Sequence, residues 1–508
     1  MKENHKDYAN LHKISRHISI LAGIGSVLDW DQETYMPQGG ADIRAIQLET
    51  LAGIIHSEKT GKKFANALEK IIDIPTGKII AKGLNPKQIA ATKAWRSDFI
   101  KDVALPKKFV EEFAKTSSQA ILSWRNAKQA NSFEDFAPFL NKIITLSRKK
   151  ADLIGFKDHP YDALLDIYEP EATTKDISQL FNSLKKNISA LLNKIVNAKQ
   201  IEDNFLHGKF SHNKQLAFGH RILADMGFDM NHGRLDLSTH PFSSASHPTD
   251  SRVTTRIHKT SLMSNISAIL HEGGHALYEM GLPQAEYGSP LGDAISLGMH
   301  ESQSRWWETY IGQSKPFWQH YLPLLKKEFP GKLDHIALDP FFRAVNKVEP
   351  SFIRVEADEV TYPLHVILRF EMERDLIDGS LSVRDIPEAW NAKMQELLSI
   401  TPNTYAEGCL QDVHWSMGGF GYFPTYTLGN LYAAQFFETF GANHSDWENR
   451  VAKGELSFIK EWLNEGVHQH GRQYSSFELL KKITGKPFSA TAYITYLNDK
   501  YKEIYKLK

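Results

Sequence analysis

A single cysteine, Cys409, stands among 508 residues, so no disulfide can form within the chain and a site built from several thiolates is excluded. Such cysteine poverty suits a reducing compartment, and a cytoplasmic location is the expectation. Neither sign of charge is in excess: 60 Lys and Arg balance 60 Asp and Glu. A dedicated nucleic-acid binder carries a basic surplus to displace counterions, so no nucleic-acid partner is expected. Long apolar runs are missing too. The most apolar early stretch, residues 18–28, is too short to span a bilayer. It leads into Asp29-Trp30-Asp31 rather than a small-residue cleavage site, so neither a membrane segment nor a secretory leader is expected. Ile18, Leu21, Gly25 and Leu28 fall at helical spacing, which reads as a buried helix.

What is present is helical periodicity. Phe109, Phe113, Ala120, Ile121 and Trp124 recur at three-, four- or seven-residue steps, and similar patterns run through 177–199, 213–226, 360–376 and 428–440. Prolines at 106, 160, 170, 283, 340, 402 and 487 punctuate them. Extended segments are few: 234–237, 254–258 and 348–355 are short candidates. The length sets a prior of about three domains, yet no linker-like run divides the chain. The expectation is therefore a mainly α-helical protein with a small β-sheet, its lobes sharing a cleft, as one unit over 1–508.

The sharpest local signal is His271-Glu272-Gly273-Gly274-His275. Helical residues four apart share a face, so two imidazoles can bind one cation while Glu272 reaches its water. Glycines inside a helix cost about 1 kcal/mol each relative to alanine, so a packed helix or a ligand is expected against Gly273 and Gly274. A catalytic site of this type needs a third protein ligand. The segment His300-Glu301-Ser302-Gln303-Ser304-Arg305-Trp306-Trp307-Glu308 is the best source. Glu301, Arg305 and Glu308 share a helical face there, and Trp306 and Trp307 turn to the core.

Further motifs make the sequence recognisable: His240-Pro241-Phe242, then Asp250-Ser251-Arg252-Val253-Thr254, then the two histidine segments. Ile353-Arg354-Val355-Glu356-Ala357-Asp358 and Gly408-Cys409-Leu410-Gln411 follow in order. Together they resemble the carboxypeptidase Taq family, the M32 metallocarboxypeptidases, across essentially the whole chain. The resemblance implies an all-helical, saddle-like molecule with two lobes around a deep groove, akin to neurolysin-type zincins and commonly a homodimer. It also implies metal ligands at His271, His275 and Glu301, with Glu272 as general base. The metal site is thus expected around 240–310, with contributions from 350–430.

Peptide hydrolysis needs a nucleophile, a proton carrier and a stabilised oxyanion. Zinc would supply the activated water, and cobalt or manganese suit the same ligands. By analogy with related oligopeptidases, which place a tyrosine from such a loop over the carbonyl, Tyr422, after the glycine-rich Gly418-Gly419-Phe420-Gly421, is the candidate oxyanion donor, with a tight turn of core aromatics as the alternative. His240 is placed to donate to substrate or to hold structure. An exopeptidase must also bind a free C-terminus, for which arginine is suited. Arg354 and Arg252 are the candidates. Asp250 pairs with Arg252 or orients a neighbour, and Gln411 binds the substrate end or braces its helix. An extended segment at 254–258 is a candidate edge strand for the substrate backbone. Competing readings are an endo-acting oligopeptidase with the same centre and a catalytically silent peptide-binding scaffold. Glu272 argues against the last.

Overall fold

The computed structural model describes residues 5–258 and 260–508. Helices dominate, and each expected pattern is helical: Lys107–Ala130, Thr174–Val196, His212–Asp225, Tyr362–Asp378 and Pro424–Asn443. One three-stranded sheet accompanies them, formed by β1 (Gly233–Leu237), β2 (Ser243–His247) and β3 (Asp250–Thr255), in the order β1-β3-β2. β1 runs parallel to β3, and β2 antiparallel.

Three sequence expectations are corrected. The segment 348–355 forms no strand; it runs as irregular chain into the short turn Arg354–Glu356. Its backbone is engaged by side chains instead, with Gln411 accepting from the Arg354 N–H and donating to the Phe352 carbonyl. The strand expected at 254–258 ends at Thr255 and begins at Asp250. It is the central strand, so both of its edges are taken and it cannot pair with a substrate. The strand missing from the sequence reading is β2, whose residues Ser243-Ser244-Ala245-Ser246-His247 carry no hydrophobic alternation.

The third correction concerns the N-terminal helix Lys6–Thr34. Residues 18–28 are helical, but Ile18 is the buried one, while Ile20 and Ile24 are about half exposed. The helix Ala41–Thr60 beside it has no buried residue at all. This region holds a small hydrophobic cluster of its own, with Leu11, Phe64, Leu68, Trp95 and Phe99, separate from the main core. Polar contacts tie it to the body. Trp30 lies under the guanidiniums of Arg252 (4.4 Å) and Arg234 (4.9 Å), and Tyr35 donates to Asp236 at 2.6 Å. Arg472 grips Asp98 with two hydrogen bonds of 2.7 and 2.9 Å.

The main core converges on the helix Leu262–Gly281. Its apolar face, with Leu262, Ile266, Ile269, Leu270 and Leu277, is buried. The two internal glycines are explained by helices rather than by a ligand. A Cβ on Gly273 would lie 2.8 Å from Leu223, and one on Gly274 would lie 2.6 Å from the Gln303 carbonyl oxygen. The short helix Leu297–Arg305, which carries Glu301, therefore presses directly onto the histidine helix. On its other side Gly429 lets Pro424–Asn443 approach the Glu301 side chain, where a Cβ would meet it at 2.6 Å.

Candidate metal centre

Two neighbouring helices bring His271, His275 and Glu301 together. One ligand atom from each lies within 4.8 Å of the others. His271 Nε2 is 3.6 Å and His275 Nε2 3.4 Å from the same carboxylate oxygen of Glu301. Both imidazoles come from one helical face, with ring centroids 4.9 Å apart.

The outward nitrogens are held as well. His271 Nδ1 sits 2.8 Å from Glu308 Oε2, which also accepts from Arg305 at 2.8 Å. Arg305 Nε in turn donates to Asn430. The short π-helix Trp306–Ile311, continuing from the ligand helix, carries Glu308, while Trp306 and Trp307 are buried. On the other side, His275 Nδ1 lies 2.6 Å from His300 Nδ1, and His300 Nε2 lies 2.7 Å from Glu279.

The charges show what this arrangement suits. Glu272, Glu301 and Glu308 are buried or nearly so, and among the described residues the guanidinium bridged to this group is that of Arg305, which meets Glu308. With both imidazoles neutral, as metal ligands must be, three carboxylates against one guanidinium leave two negative charges in a desolvated place, which a divalent cation would balance. The ionisable groups respond accordingly. Burial works against the charged form of His271, yet Glu301, Glu308 and Glu272 outweigh it and push its pKa up to about 9. Burial raises Glu272 to about 7, with Glu301 and Glu308 adding to the shift. Burial lowers His275 to about 4, keeping it neutral, as a ligand must be. Two neutralisable nitrogens, one carboxylate oxygen and a free carboxylate beside them fit a hydrolytic divalent site.

Next to this centre is a cluster of the opposite sign. Arg354 is 4% exposed. Its Nε and Nη2 donate to Asp412 Oδ1 at 3.1 and 2.9 Å, and its Nη1 donates to the Tyr362 hydroxyl at 3.1 Å. The fully buried Arg369 meets the other oxygen of Asp412 at 2.6 Å. Burial and the two guanidiniums depress the nearby His365 and His414 to about 3 and about 4, so both are neutral. Two guanidiniums on one carboxylate leave one positive charge. Tyr422 lies within electrostatic reach of Glu301, Glu272 and Arg354, and burial raises its pKa. Its ring packs against Tyr168, Tyr426 and His414. The loop that carries it is pinned by Glu373, which accepts from Gly421 N (2.9 Å), Tyr161 (2.6 Å) and Trp415 (2.8 Å).

The other expected residues lie in different surroundings. Gln411 spends its amide on backbone groups, including the Arg354 N–H. Arg252 and Asp250 form a two-bond pair within β3, at 2.9 and 3.1 Å, with Arg252 stacked on Trp30. His240 is exposed on the connection between β1 and β2. Asp412, Arg369, Tyr362, His300, Glu279 and Glu373 were not singled out as site residues. Asp412 had a readable signal, since it follows Gln411 directly. Arg369 and Glu373 are spread along a helix buried on all sides, Tyr362–Asp378, where periodicity distinguishes nothing.

The model of the carboxypeptidase Taq (M32) metallopeptidases matches residues 10–501. The chain belongs to that family. M32 membership makes it an enzyme of the metallocarboxypeptidase class. It is 39% identical to "Thermostable carboxypeptidase 1" of Thermus thermophilus, over 98% of this chain and 99% of that one. It is 36% identical to "Carboxypeptidase 1" of Bacillus subtilis, covering 99% of each. Among solved structures, the M32 carboxypeptidase of Deinococcus radiodurans superposes with a TM-score of 0.95 at 36% identity, over 99% of this chain and 100% of that one. The mainly helical fold with its small sheet is thus the M32 fold.

Proposed function

We propose that this M32 enzyme removes single residues from the free C-terminus of peptides, with broad side-chain specificity. The observation that carries the reading is the pairing of opposite buried charges. With its imidazoles neutral, a centre short of two positive charges adjoins a cluster with one positive charge to spare, and Tyr422 lies within reach of both. The first suits a divalent cation and the second a terminal carboxylate.

His271, His275 and Glu301 would hold the cation, with zinc the first choice and cobalt or manganese compatible with the same donors. When bound, the cation polarises the scissile carbonyl and acidifies water. Glu272, buried and unclaimed by any side-chain hydrogen bond among the described residues, takes the proton of the attacking water and returns it to the leaving amine. Tyr422 donates its hydroxyl to the oxygen that gains charge. Arg354, with two of its five N–H bonds uncommitted, meets the terminal carboxylate. Gln411 supports it by holding the Arg354 backbone. His240 is exposed and available to donate to the substrate chain from the sheet side. Arg252 and Asp250 serve by bracing the sheet against Trp30.

The chain would work as one unit in the cytoplasm, and two copies would pair. Ile43, Ile46 and Ile54, about half exposed along the outer face of Ala41–Thr60, support the pairing. Sedimentation of the purified protein reads it directly. The activity is tested with an acetylated peptide offered as free acid and as C-terminal amide, with and without a chelator. Release of the last residue from the acid alone, abolished by chelation, is the expected outcome. Internal cleavage of both forms points to an endo-acting oligopeptidase.

A further inference from the structure

The two histidines of the centre are supported in different ways, and the difference assigns a role to residues outside it. His271 has a carboxylate, Glu308, directly against Nδ1 at 2.8 Å. His275 has another imidazole there: its Nδ1 lies 2.6 Å from His300 Nδ1. Two ring nitrogens at that distance share one proton, so one donates and the other accepts. The far side of His300 decides which. Its Nε2 is 2.7 Å from Glu279 Oε1, and a carboxylate only accepts. In a neutral His300 ring the Nε2 proton therefore points at Glu279, Nδ1 is bare, and it accepts from His275 Nδ1–H. The lone pair of His275 is left on Nε2, the atom facing Glu301 at 3.4 Å.

Resting on the metal-site reading above, we propose that Glu279 and His300 are positioning residues that lock His275 in its cation-binding tautomer through a two-step relay. With the opposite tautomer of His300, its Nδ1–H would point at His275 and force the proton of that ring onto Nε2, blocking the site. The relay is built from the same two helices as the ligands. Glu279 lies one turn after His275 on Leu262–Gly281, and His300 immediately precedes Glu301 on Leu297–Arg305. The ring of His300 is fixed by packing as well, 4.6 Å from His275 and 5.1 Å from Tyr278. One short helix thus delivers a ligand with one residue and orients a second ligand with its neighbour.

The test is the affinity of the full-length apoprotein for Zn2+, measured by competition with a chromophoric chelator. Glu279→Ala and His300→Leu should each raise Kd roughly 10–100-fold, the usual effect of losing a group that orients a metal-binding histidine. Glu279→Gln keeps an acceptor for the His300 proton and should stay within about threefold of the parent, since the relay needs an acceptor and not a charge. His300→Gln restores an acceptor for His275 Nδ1–H and should recover most of the loss. The Glu279 side chain is 25% exposed, so its variants are measurable even if His300→Leu does not fold. Unchanged affinity in Glu279→Ala overturns the relay. So does a Glu279→Gln loss equal to that of alanine, because the carboxylate then acts by charge alone. Failure of the parent to bind Zn2+, or indifference to His271→Ala, overturns the metal-site reading instead.

Discussion

Removing the Arg354 guanidinium puts the proposed carboxylate receptor at risk most directly. The side chain is 4% exposed, and three of its N–H bonds go to Asp412 and Tyr362. In Arg354→Ala the Asp412 carboxylate is not orphaned, because Arg369 stays on its other oxygen at 2.6 Å. The stability loss should therefore fall short of the ~3–5 kcal/mol typical of a fully broken buried pair, and the variant should fold. Catalysis carries the larger cost. A peptide carboxylate entering this enclosed place without Arg354 is desolvated and loses a charge-assisted partner. On the same scale that is worth on the order of 3–4 kcal/mol, or roughly 10²–10³ in kcat/KM. An amide-capped peptide has no such anion to lose. The assay compares free-acid and amide forms of one acetylated peptide on parent, Arg354→Ala and Arg354→Lys, with metal content measured in each. The parent should prefer the acid strongly, alanine should lose most of that preference, and lysine should keep part of it as a point charge without the planar fork. If Arg354→Ala discriminates acid from amide as well as the parent does, the receptor lies elsewhere, and Arg369 and Arg252 are the remaining candidates.

Glu272→Gln should retain the cation and lose about 10²–10⁴-fold in turnover, because the amide matches the size but cannot take a proton; near-parent rates at full metal occupancy would refute the base assignment. Glu301→Ala, like His271→Ala and His275→Ala, should weaken cation binding sharply, since each removes one of three protein ligands; unchanged affinity in a metal titration would move the third ligand to another residue. Glu373, fully buried, has its pKa raised by burial to about 7 from the ordinary 4.5. A carboxyl raised on folding contributes stability that is complete below its unfolded pKa and is lost as pH climbs through the folded one. Parent stability should therefore fall by on the order of 3 kcal/mol more than that of Glu373→Gln between pH 4.5 and 7. Parallel stability curves from chemical denaturation would contradict this.

The sequence by itself determined the helices and the candidate donors. Helical periodicity is a local property, and long amphipathic runs such as Lys107–Ala130 and Thr174–Val196 express it whatever packs on them. His271 and His275 share a face by helical geometry alone, and the two glycines between them already required a close neighbour. Only the tertiary structure decided which neighbour that was, because Gln303 and Leu223 reach those glycines from 29 and 50 residues away in the chain. It likewise decided the sheet. β2 is a polar segment with no strand signal, made extended by its partner β3, while 348–355, rich in β-branched and apolar residues, finds no strand to pair with. Charge pairing was equally invisible in one dimension. Arg354 takes its carboxylate from Asp412, 58 positions away, rather than from the adjacent Glu356 or Asp358. Buried ion pairs and relays such as Glu279–His300–His275 are chosen by which faces the packed core brings together, and no pattern along the chain records that choice.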